Sequence, residues 1–194
     1  MNISPNFTDK DWSELKLDSS EEDWQKAIDV VRDRFTARYL EPVERLIDFE
    51  KELKPEKRRF GFTILAICML LIETFQAFKE GLPTTDGQSK KVFLRFLEQS
   101  PNVSPYFSTK EQRLKFYRDF RCGILHQAET KGSALVWSIG DLYERADGME
   151  VVNRNALHEA IKADFADYIS ELRKPTSVEL RKLLRTKMDF LIRQ

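Results

Sequence analysis

The chain has 194 residues, in which 32 Lys and Arg are balanced by 32 Asp and Glu, and it contains only two His and two Cys. A hydrophobic fraction of 41% with no net charge excludes intrinsic disorder, and the length predicts one domain with its own core. The two cysteines, which form no CxxC pair, exclude a disulfide framework and a structural zinc or c-type haem site, and they favour a cytoplasmic location.

The first 18 residues show no hydrophobic period, so they predict an irregular arm ahead of a single domain over 19–194. This arm has neither a basic start nor an apolar run, and we therefore expect no secretory signal. Ser19 and Ser20, followed by three acids, predict a helix start. Apolar residues then recur every three or four positions as far as Leu53, and Pro42 is a place where this helix can kink.

The segment from Pro55 to Phe78 predicts a central helix, because Pro55 suits a first turn and the residues that follow are apolar nearly all round. Gly81 and Pro83 predict its end. Its uninterrupted apolar stretch is broken at Glu73, well short of the roughly 20 residues that a membrane span needs. We therefore expect a buried core helix and no contact with a membrane.

Two further helices are predicted over 89–98 and from about residue 109 to 127. Ser108 or Thr109 caps the second helix, with Glu111 near the third position of a capping box. This second helix contains the most informative segment of the chain.

Residues 133–153 predict a β-hairpin, because two β-like stretches flank the turn pair Asp147-Gly148. Asn153 or Asn155 and then Pro175 start the last two helices. The predicted fold is therefore all-α, a helical bundle with a small β-hairpin inserted after the motif helix.

Arg121 and His126 form the candidate catalytic pair. Five residues on an ideal helix turn the two side chains about 140° apart, so they converge only if the helix distorts at Gly123 or if a second copy crosses it. Histidine exchanges protons near neutral pH, and arginine clamps phosphate oxygens. Without clustered carboxylates we expect no metal and no cofactor, and the chemistry that suits such a pair is attack by an RNA 2′-hydroxyl on its own 3′-phosphate.

The segment from Arg121 to Gln127 (RCGILHQ) resembles the HEPN family of all-helical domains, whose signature is Arg, four to six residues, then His. The resemblance implies an up-down helical bundle and a metal-independent endoribonuclease. It also implies a homodimer that joins two motifs in a cleft, often in toxin–antitoxin or phage-defence systems with an antitoxin or defence partner. Arg121 would then orient the scissile phosphate and His126 would act in acid–base catalysis. Cys122 departs from the polar residue that active members usually carry there.

Three further residues are candidates for substrate binding: Arg118, Cys122 and Glu73. Glu73 either holds Arg121 or simply reaches the exposed end of its helix. The alternative for the motif is structural, with Arg121 paired to Asp119 or Glu73. Two helical sets of basic residues are candidate RNA-backbone tracks, the first comprising Lys110, Arg113, Lys115, Arg118 and Arg121 and the second comprising Arg181, Lys182, Arg185 and Lys187.

Three functions remain open on the sequence alone. The first is a dimeric endoribonuclease, and the second is a catalytically inactive module of the same fold that binds RNA, a nucleotide or a protein. The third is a structural protein in which Arg121 and His126 only tie helices together. His158, the other histidine, lies near the start of an ordinary amphipathic helix and is expected at the surface or its boundary.

Overall fold

A computed structural model describes residues 1–193, apart from the side chain of Pro55, as a predominantly helical fold with one small sheet. The order of elements follows the sequence prediction closely, with a third strand added. The α-helices are α1 Asp9–Ser13, α2 Glu21–Phe35, α3 Glu41–Lys51, α4 Gly61–Lys79, α5 Ser89–Gln99, α6 Lys110–Phe116, α7 Cys122–Gln127, α8 Arg154–Leu172 and α9 Val178–Ile192, and the strands are β1 Ala134–Trp137, β2 Tyr143–Ala146 and β3 Met149–Asn153.

Helix α4 lies at the centre of the fold, where it packs against α3, α5, α8 and α9. Among the described helices it alone is long and apolar enough to cross a membrane, yet 56% of its most apolar window is buried inside the protein. This burial agrees with the predicted core helix. The large apolar side chains of α4 in the core are Ile64, Leu65, Met69, Leu71, Ile72, Phe75 and Phe78.

The start of α4 differs from the prediction. Pro55–Lys57 form only a short 3-10 turn, and α4 begins at Gly61. The carboxylate of Glu50 on α3 accepts hydrogen bonds from the backbone N–H groups of Arg59 and Phe60, both at 2.6 Å. A side chain from another helix therefore satisfies donors that precede α4, and no local capping signal marked this boundary in the sequence.

Two π-helical turns interrupt the long predicted helices. The first, Thr36–Leu40, joins α2 to α3, so that Pro42 falls at the start of α3, where its missing N–H group costs little. The second, Tyr117–Arg121, joins α6 to α7 and ends at the candidate catalytic arginine. Single π turns are frequent at functional sites.

The β-hairpin predicted over residues 133–153 is present, within a larger sheet whose pairing the sequence did not reveal. β2 and β3 form the antiparallel hairpin across Asp147-Gly148, whereas β1 pairs in parallel with β3, so the strand order is β1-β3-β2. Asp147 and Gly148 both have positive φ, as a tight two-residue hairpin turn requires. The strand Tyr143–Ala146 was not predicted, and the predominantly helical fold that the sequence indicated therefore carries a three-stranded mixed sheet.

The N-terminal arm is more ordered than predicted. It contains the short helix α1 and an isolated bridge between Asn2 and Thr8, and it buries Ile3 and Trp12. The indole N–H of Trp12 donates to Asp189 on α9 at 2.9 Å, which docks the arm on the body of the domain.

A buried ion pair between Arg154 on α8 and Glu50 on α3 yields the first prediction. We expect Arg154→Met to lower the free energy of unfolding by about 3–5 kcal/mol, because it leaves the Glu50 carboxylate buried without its cationic partner. Urea denaturation measures the loss. Arg185→Met is the matched control: it breaks an exposed pair with Asp18 and should cost no more than about 1 kcal/mol. Equal losses for both variants would contradict the prediction.

Candidate functional site

Arg121 and His126 come together within one chain. Nη1 of Arg121 lies 3.5 Å from Nε2 of His126, and the imidazole is exposed to solvent. Arg121 closes the second π turn, and α7 is helical from Cys122 through His126. The reach of the arginine side chain, rather than a bend at Gly123 or a second copy, therefore closes the gap between the two residues.

Gly123 has a different role from the predicted bend. A Cβ atom at this position would lie 2.5 Å from the carbonyl oxygen of Glu129, because the chain folds back onto α7 immediately after it. Ala128 adopts the left-handed conformation at the end of α7, with φ of 53°. The backbone N–H of Lys131 then donates to the carbonyl oxygen of Asp119 at 2.9 Å. Gly123 thus permits the close return that leaves His126 at the edge of the fold.

Glu73 holds the guanidinium of Arg121. Nη2 of Arg121 donates to a Glu73 carboxylate oxygen and to the Ser89 hydroxyl, both at 2.9 Å. Ser89 and Thr85 also donate to the Glu73 carboxylate, at 2.5 and 2.6 Å. Of the two sequence alternatives for Glu73, the contact with Arg121 is the one found.

The carboxylate of Glu73 is ionised, and both of its oxygens accept hydrogen bonds. Burial disfavours its charged form, but hydrogen bonds from Ser89, Thr85 and Arg121 together hold its pKa below the ordinary value. Glu73 and Arg121 have only 14% of their side-chain surface exposed. A carboxylate in this setting positions the arginine, and its negative charge would repel a phosphate. The geometry therefore favours a positioning role for Glu73 over direct binding of substrate.

Tyr117 and Cys122 complete the surroundings of Arg121. The guanidinium carbon lies 5.4 Å from the centre of the Tyr117 ring, within the range of a cation–π interaction. Burial raises the pKa of the Tyr117 hydroxyl against the opposing charge of Arg121, and Cys122 adds to the increase. The Cys122 thiol is partly buried. Sequence reasoning missed Tyr117, although its position four residues before Arg121 was a usable signal.

Arg118 belongs to a separate ion-pair cluster. Its Nε donates to the buried carboxylate of Asp119 at 2.7 Å, and Lys115 donates to the other oxygen at 2.8 Å. Asp119, an expected alternative partner of Arg121, is therefore occupied by Lys115 and Arg118. Arg118 itself remains largely exposed.

The two basic tracks are largely neutralised by acids. In the first, Arg113 pairs with Glu98, and Lys115 and Arg118 pair with Asp119. In the second, Arg181 pairs with Glu21 and Arg185 pairs with Asp18. Neither track therefore forms a continuous stripe of unpaired positive charge, and RNA contact by these residues would require the acids to be displaced or shared.

A groove of about 390 Å³ opens beside the site. Leu70 on α4 and Leu125 on α7 are 39% and 44% exposed, so apolar surface flanks the guanidinium. The sequence indicated that α4 is apolar on all sides. Only the tertiary packing revealed that the side of α4 bearing Leu70 stays exposed. The residues that line the groove are Ala66, Ile67, Met69, Leu70, Glu73, Thr74, Arg121 and Leu125.

Comparison with known proteins finds no matching family model, no matching curated protein and no matching solved structure. The HEPN resemblance therefore depends on the spacing of Arg121 and His126 and on the helical architecture. The site geometry is the basis for any functional argument.

The close return of the chain at Gly123 yields a second prediction. We expect Gly123→Ala to lower the free energy of unfolding by about 1–3 kcal/mol, because the added methyl group must displace the backbone around Glu129. Chemical denaturation measures the change. Ala128→Gly, in the same segment, should be neutral or stabilising, since glycine accepts positive φ readily. A fully stable Gly123→Ala protein would mean that the segment from Glu129 to Lys131 does not pack as described.

The lowered pKa of Glu73 yields a third prediction. Its ionised form contributes stability at pH values above its ordinary pKa of 4.5, and this contribution is lost as the pH falls through the lower folded value. We expect Glu73→Gln to cost about 1–3 kcal/mol at pH 7, and the difference from the wild type to shrink towards pH 3. Urea denaturation across this pH range measures it. Glu41→Gln, which affects an exposed pair with Arg45, should show little difference at any pH.

Proposed function

We propose that this protein is a metal-independent endoribonuclease of the HEPN type, of the kind found in toxin or phage-defence systems, acting through Arg121 and His126. The observation that carries the proposal is the exposed imidazole of His126 beside a fixed guanidinium, 3.5 Å away, at the edge of an open groove. A proton acceptor next to a permanent phosphate-binding cation is the pair that cleavage by the 2′-hydroxyl requires.

In the proposed reaction His126 takes the proton of the RNA 2′-hydroxyl, and the 2′-oxygen attacks the adjacent phosphorus. The bond from phosphorus to the 5′-oxygen breaks, and a protonated imidazole supplies the proton for that oxygen. The products are a 2′,3′-cyclic phosphate and a 5′-hydroxyl. Arg121 stabilises the charge on the phosphate oxygens through Nη1, since Nη2 is held by Glu73 and Ser89.

The proposal includes a homodimer in which two such sites share one cleft. The apolar flank of the groove, with Leu70 and Leu125 exposed, supports it, because exposed apolar surface beside a polar site favours association. A second copy on this flank would exclude water and bring a second His126 near the first. The partners would then be RNA, a second copy and an antitoxin or defence protein.

A cytoplasmic location fits the same proposal. Both cysteines are free, Cys68 is fully buried, and the most apolar helix lies within the core rather than on the surface. Access to cellular RNA requires that location.

Two observations favour a second candidate, an inactive module that binds RNA, a nucleotide or a protein. Glu73 neutralises much of the charge of Arg121, which weakens its attraction for phosphate. The Cys122 thiol offers only a weak hydrogen bond where active HEPN proteins usually carry a stronger polar group. Such a module would retain RNA or a nucleotide without cleaving RNA, and Arg121→Ala would abolish that binding.

Cleavage of a labelled RNA in the presence of EDTA tests the proposed activity. We expect Arg121→Ala and His126→Ala each to lower the cleavage rate by at least about 100-fold, because each removes a group that the proposed reaction requires. Arg45→Ala, which alters an exposed arginine on α3, is the control and should cleave at the wild-type rate. Cleavage by His126→Ala at the wild-type rate would contradict the proposal. RNA binding without cleavage by the unaltered protein would favour the inactive module.

The proposed dimer is tested by Leu70→Asp. A charge in the apolar groove should shift the protein to a monomer and lower cleavage in parallel, because the shared cleft is lost. Sedimentation equilibrium measures the oligomeric state. Val178→Asp places the same charge on an exposed apolar position of α9 and should leave both properties unchanged. A wild-type protein that stays monomeric at all concentrations would contradict the shared cleft.

A further inference from the structure

His158 lies in a stripe of basic side chains along α8 that faces acids on α3. Arg154, His158 and Lys162 are spaced four residues apart, which places them on one side of the helix. Arg154 pairs with Glu50, and Lys162 pairs with Glu44. The sequence expectation that His158 lies at the surface or its boundary was wrong, since its exposed fraction is 0%.

Both ring nitrogens of His158 lack a hydrogen-bond partner among the described residues. Buried polar atoms are nearly always paired, so this imidazole requires a partner that the described part of the chain does not supply. Burial lowers the pKa of His158, and Lys162 adds to the decrease against the opposing charges of Glu159 and Glu44. A ring nitrogen that makes no hydrogen bond has its lone pair available for a metal ion.

Two carboxylates lie beside this imidazole. One ligand atom each from Glu44, His158 and Glu159 lie within 4.8 Å of one another. Ligand atoms on tetrahedral zinc are about 3.3 Å apart, so the three groups must approach by at most about 1.5 Å. Glu159 is mostly exposed and Glu44 is partly exposed, so both carboxylates are able to move towards the ring.

We propose that Glu44, His158 and Glu159 bind a divalent transition-metal ion of the Zn²⁺ class, which links α3 to α8. One nitrogen with two carboxylate oxygens suits Zn²⁺ better than Mg²⁺ or Ca²⁺, which favour oxygen ligands alone. Solvent at Glu159 supplies the fourth ligand. The site shares no residue with the pair Arg121 and His126, so it is independent of the proposed nuclease and compatible with cleavage in EDTA.

Lys162 is the competing cation. Its ammonium group pairs with Glu44, and a metal ion must displace it. About half of the Lys162 side chain is exposed, so it is able to turn towards solvent. The affinity for metal is therefore lower in the wild type than in a chain without this charge, and Lys162→Gln should bind Zn²⁺ more tightly.

Metal titration of the full-length chain tests the proposal. Co²⁺ is added to protein freed of metal, the visible absorption reports nitrogen and oxygen ligation, and Zn²⁺ competes for the site. Cys122 and His126 lie four residues apart on α7 and offer a rival site. The titration is therefore repeated in a Cys122→Ser/His126→Ala background, in which one equivalent should still bind. Zn²⁺ should also raise the melting temperature, since it binds only the folded state.

Three variants decide the assignment. Removing a residue that orients a metal ligand typically lowers metal affinity roughly 10- to 100-fold. Removing a ligand itself should cost at least as much, so we expect Glu159→Gln and His158→Gln each to weaken Zn²⁺ binding on the order of 100-fold. Glu171→Gln, at an exposed position of the same helix, should have no effect. The absence of one-equivalent binding, or binding unaltered by Glu159→Gln, would overturn the proposal. Glu159→Gln alters an exposed side chain and keeps the test decisive if His158→Gln fails to fold.

Discussion

The fold depends on the need to cover α4 on nearly every side. Apart from Glu73 and its final residue Lys79, this 19-residue helix carries no charge, so exposing it to water would be costly. The helices α3, α5, α8 and α9 surround it. Their own apolar faces pack on it, and the order of elements along the chain therefore becomes a bundle around one helix.

Glu73, the charged residue within this apolar helix, organises the candidate site around Arg121 and His126. A carboxylate on the central helix must be paired, and it recruits Arg121 from the second π turn together with hydroxyl groups near the start of α5. One interaction therefore ties three parts of the chain together and also fixes the guanidinium beside His126. The same pairing reduces the positive charge at the site, so the RNA binding proposed above would depend on geometry and a second copy rather than on net charge.

A second polar system joins α3 to α8. Glu50 serves both the backbone before α4 and the guanidinium of Arg154, so one buried carboxylate links three helices. His158 lies between this pair and the pair of Lys162 with Glu44, without a partner of its own. The chain thus places its two histidines in opposite environments, with His126 in water beside a fixed arginine and His158 in the interior beside two carboxylates.

The sequence by itself determined the helical class, the central position of α4 and the candidate pair Arg121 and His126, because apolar period and motif spacing are local properties. It did not reveal the strand Tyr143–Ala146 or the parallel pairing of β1, since strand partners are chosen across the fold. Only the tertiary structure decided that Glu73 holds Arg121, that Gly123 admits a returning backbone and that His158 is buried. Each of these depends on residues distant in sequence whose approach is set by packing around α4.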